Sequence, residues 1–241
     1  MNSPRAAVVL LSGGLDSAVA LAISRQQGFT PYALTLDYGQ RHRLELDAAR
    51  QVAAALKVPR HLVIKVDLTQ WGGSSLTSSL PVPENRPLSG MGDDIPATYV
   101  PARNTIFLSL AMAWAETLGT GDIFIGAHAL DYSGYPDCRP EYFDAFTRMA
   151  ALATKSGIEG RSPWTIHTPL LRLTKTEIVQ AGHQLGVPFE FTLSCYQPRG
   201  ETFTDWAACG VCDSCLLRRR AFTDLGLTDP IRYRNGPEVA R

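Results

Sequence analysis

The sequence predicts an α/β protein, a mostly parallel sheet with helices on both faces. Three observations carry that reading. Apolar, strand-length segments alternate with helix-period ones from residue 6 to residue 185. A glycine-rich turn, Ser12-Gly13-Gly14-Leu15-Asp16-Ser17, sits where the first strand passes into the first helix. At 241 residues and 45% hydrophobic content, the chain can bury one large core, or a core with a small appendage.

Taken in order, residues 6–11 form an unbroken apolar run, as a strand buried on both faces should. Helix-period patterning over 16–27 follows, then a strand at 31–36, a helix at 41–56 and a strand at 61–66. Residues 71–96 interrupt the rhythm with glycines, serines and prolines, and read as either a lid or a disordered insertion. The alternation resumes with a helix at 104–118, a strand at 123–127, a helix at 140–156 and a strand at 164–167. A helix at 174–185 opens on Thr174, with Glu177 placed to complete a capping box. The expected division is an α/β domain over 1–190 and a cysteine-bearing helical region over 191–241.

The chemistry gathers at strand ends. Gly13 and Gly14 let the backbone turn with its N–H groups converging, and the following helix adds the positive end of its dipole, so an anion belongs there, with Ser12, Asp16 and Ser17 around it. No GxxxxGK[ST] pattern occurs, so the loop is not a Walker loop. Asp37, at the next strand end, reads equally as a helix cap or a ligand, and the run continues Tyr38-Gly39-Gln40-Arg41-His42. Arg103 and Asn104 open a strongly apolar helix. Either Arg103 clamps a phosphate or carboxylate, or Asn104 caps the helix with Arg103 solvated. Residues 126–141 are dense in polar and aromatic groups: stacking on Tyr132 or Tyr135, with Asp131 or Asp137 accepting amino protons, suits a flat purine-like ring. Lys175 either reaches pyrophosphate or is solvated.

Four of the five cysteines fall in the pattern Cys195-x13-Cys209-x2-Cys212-x2-Cys215. Four thiolates so spaced make a closed tetrahedral zinc site with a structural role, and an iron–sulfur cluster is the rival. Cys138 reads as a neutral thiol near the pocket. Lys plus Arg equals Asp plus Glu at 23 each, so no global basic field draws nucleic acid, and a small-molecule substrate is favoured. No apolar run approaches membrane-spanning length and the first residues lack a secretory pattern, which gives the expectation of a cytoplasmic protein.

The loop resembles that of the alpha-hydrolysing ATP pyrophosphatases, which release AMP and pyrophosphate. Taken with Asp37 to His42, Tyr99-Val100-Pro101, Arg103-Asn104, residues 131–140, Cys195-Tyr196 and Cys209-Gly210-Val211-Cys212-Asp213-Ser214-Cys215, it resembles the 7-cyano-7-deazaguanine synthase family of the queuosine pathway. The resemblance implies an adenine nucleotide alpha hydrolase-like, Rossmann-like fold. It implies that 7-carboxy-7-deazaguanine and ammonium become the nitrile, with two ATP consumed, Mg2+ on the phosphates, Zn2+ on the four cysteines, and a homodimer without direct nucleic-acid contact. ATP would lie along Leu11, Ser12, Gly13, Gly14, Leu15, Asp16, Ser17, Ala18, Val19, Ala20 and Leu21. Asp16, Ser17 and Lys175 are the expected catalytic set, and Arg103, Asn104, Asp131, Tyr132 and Asp137 the expected substrate contacts. An RNA-modifying enzyme of the same superfamily is the second reading, resting on Arg218-Arg219-Arg220, Arg232 and Arg234; against it, three arginines on a helix end are more often a solvated or dimer-facing surface. A non-catalytic nucleotide-binding or zinc-scaffold protein is the third.

Overall fold

Ala7, Val8, Val9 and Leu10 are all buried, which requires layers on both sides of the strand that carries them. The computed structural model describes residues 5–40, 43–87, 95–128, 135–160 and 163–234. In it β1 (Arg5–Leu10) lies at the centre of a five-stranded sheet with β2 (Phe29–Asp37), β3 (Arg60–Lys65), β4 (Asp122–Phe124) and β5 (Thr165–His167). The order is β3-β2-β1-β4-β5 and every pairing is parallel. The α/β class and the five strands are as the sequence predicts.

Alternate residues of β1 feed two cores, because successive side chains in a strand point to opposite faces. Ala7 and Val9 join α1 (Leu15–Gln26), α2 (Leu44–Ala55), α6 (Lys175–Gln184) and α7 (Asp213–Asp224). Val8 and Leu10 join α3 (Arg103–Thr117) and α4 (Pro140–Ala153). From β1 the chain runs outward through β2 and β3, then crosses to β4 on the other side. The crevice where the direction reverses, at the carboxyl ends of β1 and β4, is where such sheets bind ligands. The loop 12–17 stands at that point.

Boundaries shift where tertiary contacts intervene. The predicted helix over 140–156 is broken: Thr154 adopts an extended φ of −124°, and a four-residue helix α5 (Lys155–Ile158) follows. The cause is the buried Thr154 hydroxyl, which donates to the Ala150 carbonyl at 2.8 Å and accepts from Gly157 N–H at 3.2 Å and Trp164 Nε1 at 2.8 Å. The Thr174–Glu177 capping box forms as predicted at the start of α6.

Between β3 and α3, Ser74 and Ser75 are fully buried, with Ser75 N–H bound to the Ala97 carbonyl at 2.8 Å. Further on, Glu84 bridges to Cys212, Asn85 N–H donates to the Val211 carbonyl at 2.8 Å, and Arg86 pairs with Asp213 at 3.1 Å. Val82 joins the four cysteines in a third core with Leu44 and Ala48 of α2, Trp206 and Ile231. The three arginines of α7 do not share a surface. Arg218 is 1% exposed and forks onto Asp229 at 2.8 and 2.9 Å, with further bonds to Thr192 and the Phe189 carbonyl. Arg219 lies over the Tyr233 ring, and only Arg220, paired with Asp224, faces solvent as expected.

At the amino ends of β1 and β4, away from the loop, buried Asp122 accepts from Arg5 at 2.6 Å and pairs with His167 Nε2 at 2.8 Å, the imidazole stacking on Phe124. Burial alone would push the Asp122 carboxyl up, but these partners outweigh it and hold it below the usual carboxylate range. A depressed native pKa stabilises the fold above the unfolded value and loses that contribution as pH falls through the native value. Asp122→Asn should therefore cost about 1–3 kcal/mol at pH 7. Urea melts should show the difference from wild type shrinking in acid.

Candidate active site

The loop after β1 keeps its shape because glycine alone fits it. Gly13 has φ +83°, and a Cβ there would sit 2.4 Å from the Glu45 carbonyl and 2.6 Å from Ala49 N. Its own carbonyl accepts from Leu193 N–H at 2.9 Å. Ser17 braces the loop from inside, accepting from Ser12 N–H at 3.1 Å and donating to the Gly14 carbonyl at 2.9 Å. Gly14 is the N-cap of α1 and has no side chain to satisfy the first amides of the helix. An uncapped helix start behind a glycine turn fits a phosphate chain.

Lys175, at the first position of α6, reaches across to this helix start. Its Nζ lies 2.6 and 2.7 Å from the two Asp16 carboxylate oxygens, and His128 Nε2 lies 3.5 Å from Oδ2. Burial would push the Asp16 carboxyl up, but Lys175 and then His128 outweigh it and hold it well below the usual carboxylate range. Asp16 is thus a carboxylate at neutral pH, already engaged by a cation. Gly126 makes the approach possible: a Cβ there would lie 2.8 Å from the Asp16 carbonyl carbon.

The cavity in front of the loop has a volume of about 260 Å3 and an apolar lining that includes Leu34, Leu36, Leu76, Phe107 and Ile125. Tyr38, Tyr135 and Tyr196 add aromatic faces. Arg103 reaches it from the start of α3, its guanidinium 6.0 Å from the Tyr38 ring centre, and Glu45 reaches it from the first turn of α2. Burial pushes the Glu45 carboxyl up to about 7, against the pull of Arg103.

Asn104 also lines the cavity, yet it does not cap α3. The cap comes from Asp137, whose carboxylate accepts from Asn104 N–H at 3.0 Å, while Asn104 Nδ2 donates to the Asp137 carbonyl at 3.1 Å and to Cys138 Sγ at 3.3 Å. Asp137 accordingly stands behind the cavity wall. Burial, reinforced by Asp137, pushes the Cys138 thiol up to about 12, so it is neutral. Asp131 and Tyr132 lie outside the described residues.

The four cysteines are buried, and their Sγ atoms all lie within 4.8 Å of one another, Cys209 and Cys215 at 3.9 Å. A tetrahedral ion with bonds of about 2.3 Å to sulfur spaces its ligands about 3.8 Å apart, so the set fits a single metal ion. Backbone N–H groups of Gln197 and Cys209 point at Cys195 Sγ, both at 3.2 Å, and that of Cys212 at Cys209 Sγ at 3.3 Å, as thiolates require. Ser194 and Tyr196, either side of Cys195, line the cavity, and Ser214 and Leu217 join them from α7. The cysteine region is therefore one of its walls.

Sequence reasoning gave no role to Glu45, His128 or this wall. His128 carried a signal, since it follows β4 at a strand's carboxyl end; Glu45 looked like any acidic residue in a first helical turn.

Residues 6–226 match the family model described as "Queuosine biosynthesis protein QueC". A protein named 7-cyano-7-deazaguanine synthase from Solidesulfovibrio magneticus is 56% identical over 233 residues, 97% of each chain. Proteins of the same name from Desulfatibacillum aliphaticivorans and Kineococcus radiotolerans are 59% and 58% identical, over 94% and 95% of this chain and 96% and 98% of theirs. With the glycine loop, the cavity and the four-cysteine cluster all inside the matched span, this chain belongs to the QueC family.

Proposed function

We propose that this protein converts 7-carboxy-7-deazaguanine and ammonium to 7-cyano-7-deazaguanine, using two ATP that leave as AMP and diphosphate. The observation that carries the reading is the near full-length identity to relatives of that name, and the chemistry of the cavity is consistent with it. A carboxylate cannot expel oxide, so its oxygen attacks the α-phosphorus of ATP and diphosphate departs. Nitrogen then displaces AMP to give the amide. The amide oxygen repeats the attack on a second ATP, and loss of AMP with two protons leaves the nitrile.

In this reading the 11–21 segment holds ATP, with the uncapped amides of α1 and the Lys175 ammonium facing the diphosphate. Asp16 is the carboxylate placed to hold Mg2+, which when bound neutralises phosphate charge. Ser17 keeps the loop in its receiving shape. Arg103 faces the substrate carboxylate, and the tyrosines and apolar walls take the flat ring. Zn2+ would be held by Cys195, Cys209, Cys212 and Cys215, a closed set that leaves no position for water and so serves structure. A homodimer completes the proposal.

Purified protein given Mg-ATP, ammonium and the deazaguanine acid should release AMP and a product whose mass is that of the nitrile. Turnover stimulated by tRNA alone would overturn the assignment. Asp16→Ala should lower AMP release by at least about a hundredfold in protein that circular dichroism shows to be folded, with a lower melting temperature because Lys175 loses its partner. Cys212→Ser should lose its metal, measured by elemental analysis, together with solubility. Normal turnover in a metal-free Cys212→Ser preparation would refute the structural role.

A further inference from the structure

Amide formation from ammonium, as proposed above, cannot start until the nitrogen loses a proton, and most ionisable groups on the cavity wall are unsuited to take it. Asp16 is bound to Lys175. The Tyr38, Tyr135 and Cys138 groups are pushed up by burial and stay protonated at neutral pH. Glu45 differs. It stands in the first turn of α2, its carboxylate has no hydrogen bond or ion pair among the described residues, and it opens into the cavity beside Tyr38 and Arg103.

We infer that Glu45 is the general base that deprotonates the nitrogen nucleophile. The inference rests on the functional reading above. One proton passes from ammonium to the Glu45 carboxylate, and the freed lone pair forms the C–N bond at the adenylated carbonyl carbon. The bond from that carbon to the AMP oxygen breaks, its electron pair leaving with AMP, and the second nitrogen proton goes to water. Burial places the Glu45 carboxyl at about 7, where a base is both free to accept a proton and strong enough to hold it. Tyr38 and Arg103 share its end of the cavity; Asp16, His128, Tyr135, Cys138, Lys175 and Tyr196 are the other charged or titratable groups of the described lining.

The test separates adenylation from nitrogen transfer. Glu45→Gln should keep acid-dependent ATP–pyrophosphate exchange, which needs no nitrogen and also reports that the variant is folded. Its ammonium-dependent product formation should fall by at least about a hundredfold. Hydroxylamine, largely unprotonated at neutral pH, should restore acyl transfer to within about tenfold of wild type, read as hydroxamate by mass spectrometry. Wild-type ammonium turnover should rise with pH along a limb that levels off above about 7; in Glu45→Gln this limb should be replaced by one that follows the free-ammonia fraction, and it should return in Glu45→Asp. Loss of exchange in Glu45→Gln would instead mark a nucleotide-binding residue and overturn the inference. So would hydroxylamine no faster than ammonium, or loss of the pH limb in His128→Asn but not in Glu45→Gln. Absence of exchange in the wild type would overturn the functional reading itself, and this inference with it.

Discussion

Among the places in this molecule that leave no room for a β-carbon, two frame the site. At Gly13 the loop after β1 presses on the backbone of α2, and at Gly126 the loop after β4 presses on the backbone of Asp16. Backbone against backbone is the closest approach a chain can make, and it is not softened by rotating a side chain. The sheet order puts β1 beside both β2 and β4, so the loops after β1 and β4 flank one crevice. The crevice between them inherits a fixed width.

On that frame the Asp16–Lys175 pair sets the electrostatics. A buried ammonium beside an uncapped helix start would be costly if left alone, and the Asp16 carboxylate offsets it. The Thr174–Glu177 capping box fixes the first turn of α6 and so the position from which Lys175 reaches. The positive charge is therefore placed by local helix chemistry, and its partner by the turn that starts α1.

What was legible in the sequence was local. Two adjacent glycines between an apolar run and a helix can serve few purposes, a Thr-x-x-Glu box needs only its own four residues, and cysteines three apart can share an ion on one turn. What was not legible depends on chain segments meeting. Asp137 caps a helix that begins 34 residues earlier, at Arg103. Thr154 ends a helix because Trp164 needs its hydroxyl. Arg218, one of three consecutive arginines that read as surface, is buried because Asp229 and the carbonyls at 189 and 192 surround it. Glu45 lies in the cavity only because Gly13 lets α2 come so near. No spacing rule within one element encodes such distances.

Residues 84–86 are stitched to 211–213, Leu193 holds the carbonyl of Gly13, and the neighbours of Cys195 form part of the cavity wall. An ion on the four thiolates and a ligand in the cavity thus share the same stretch of ordered chain. Thermodynamic linkage makes that sharing reciprocal: whatever factor the ion contributes to ligand affinity, the ligand must return to the affinity for the ion. Where that factor exceeds one, an ion on the four cysteines would be held longest in those copies of the protein whose cavities are filled.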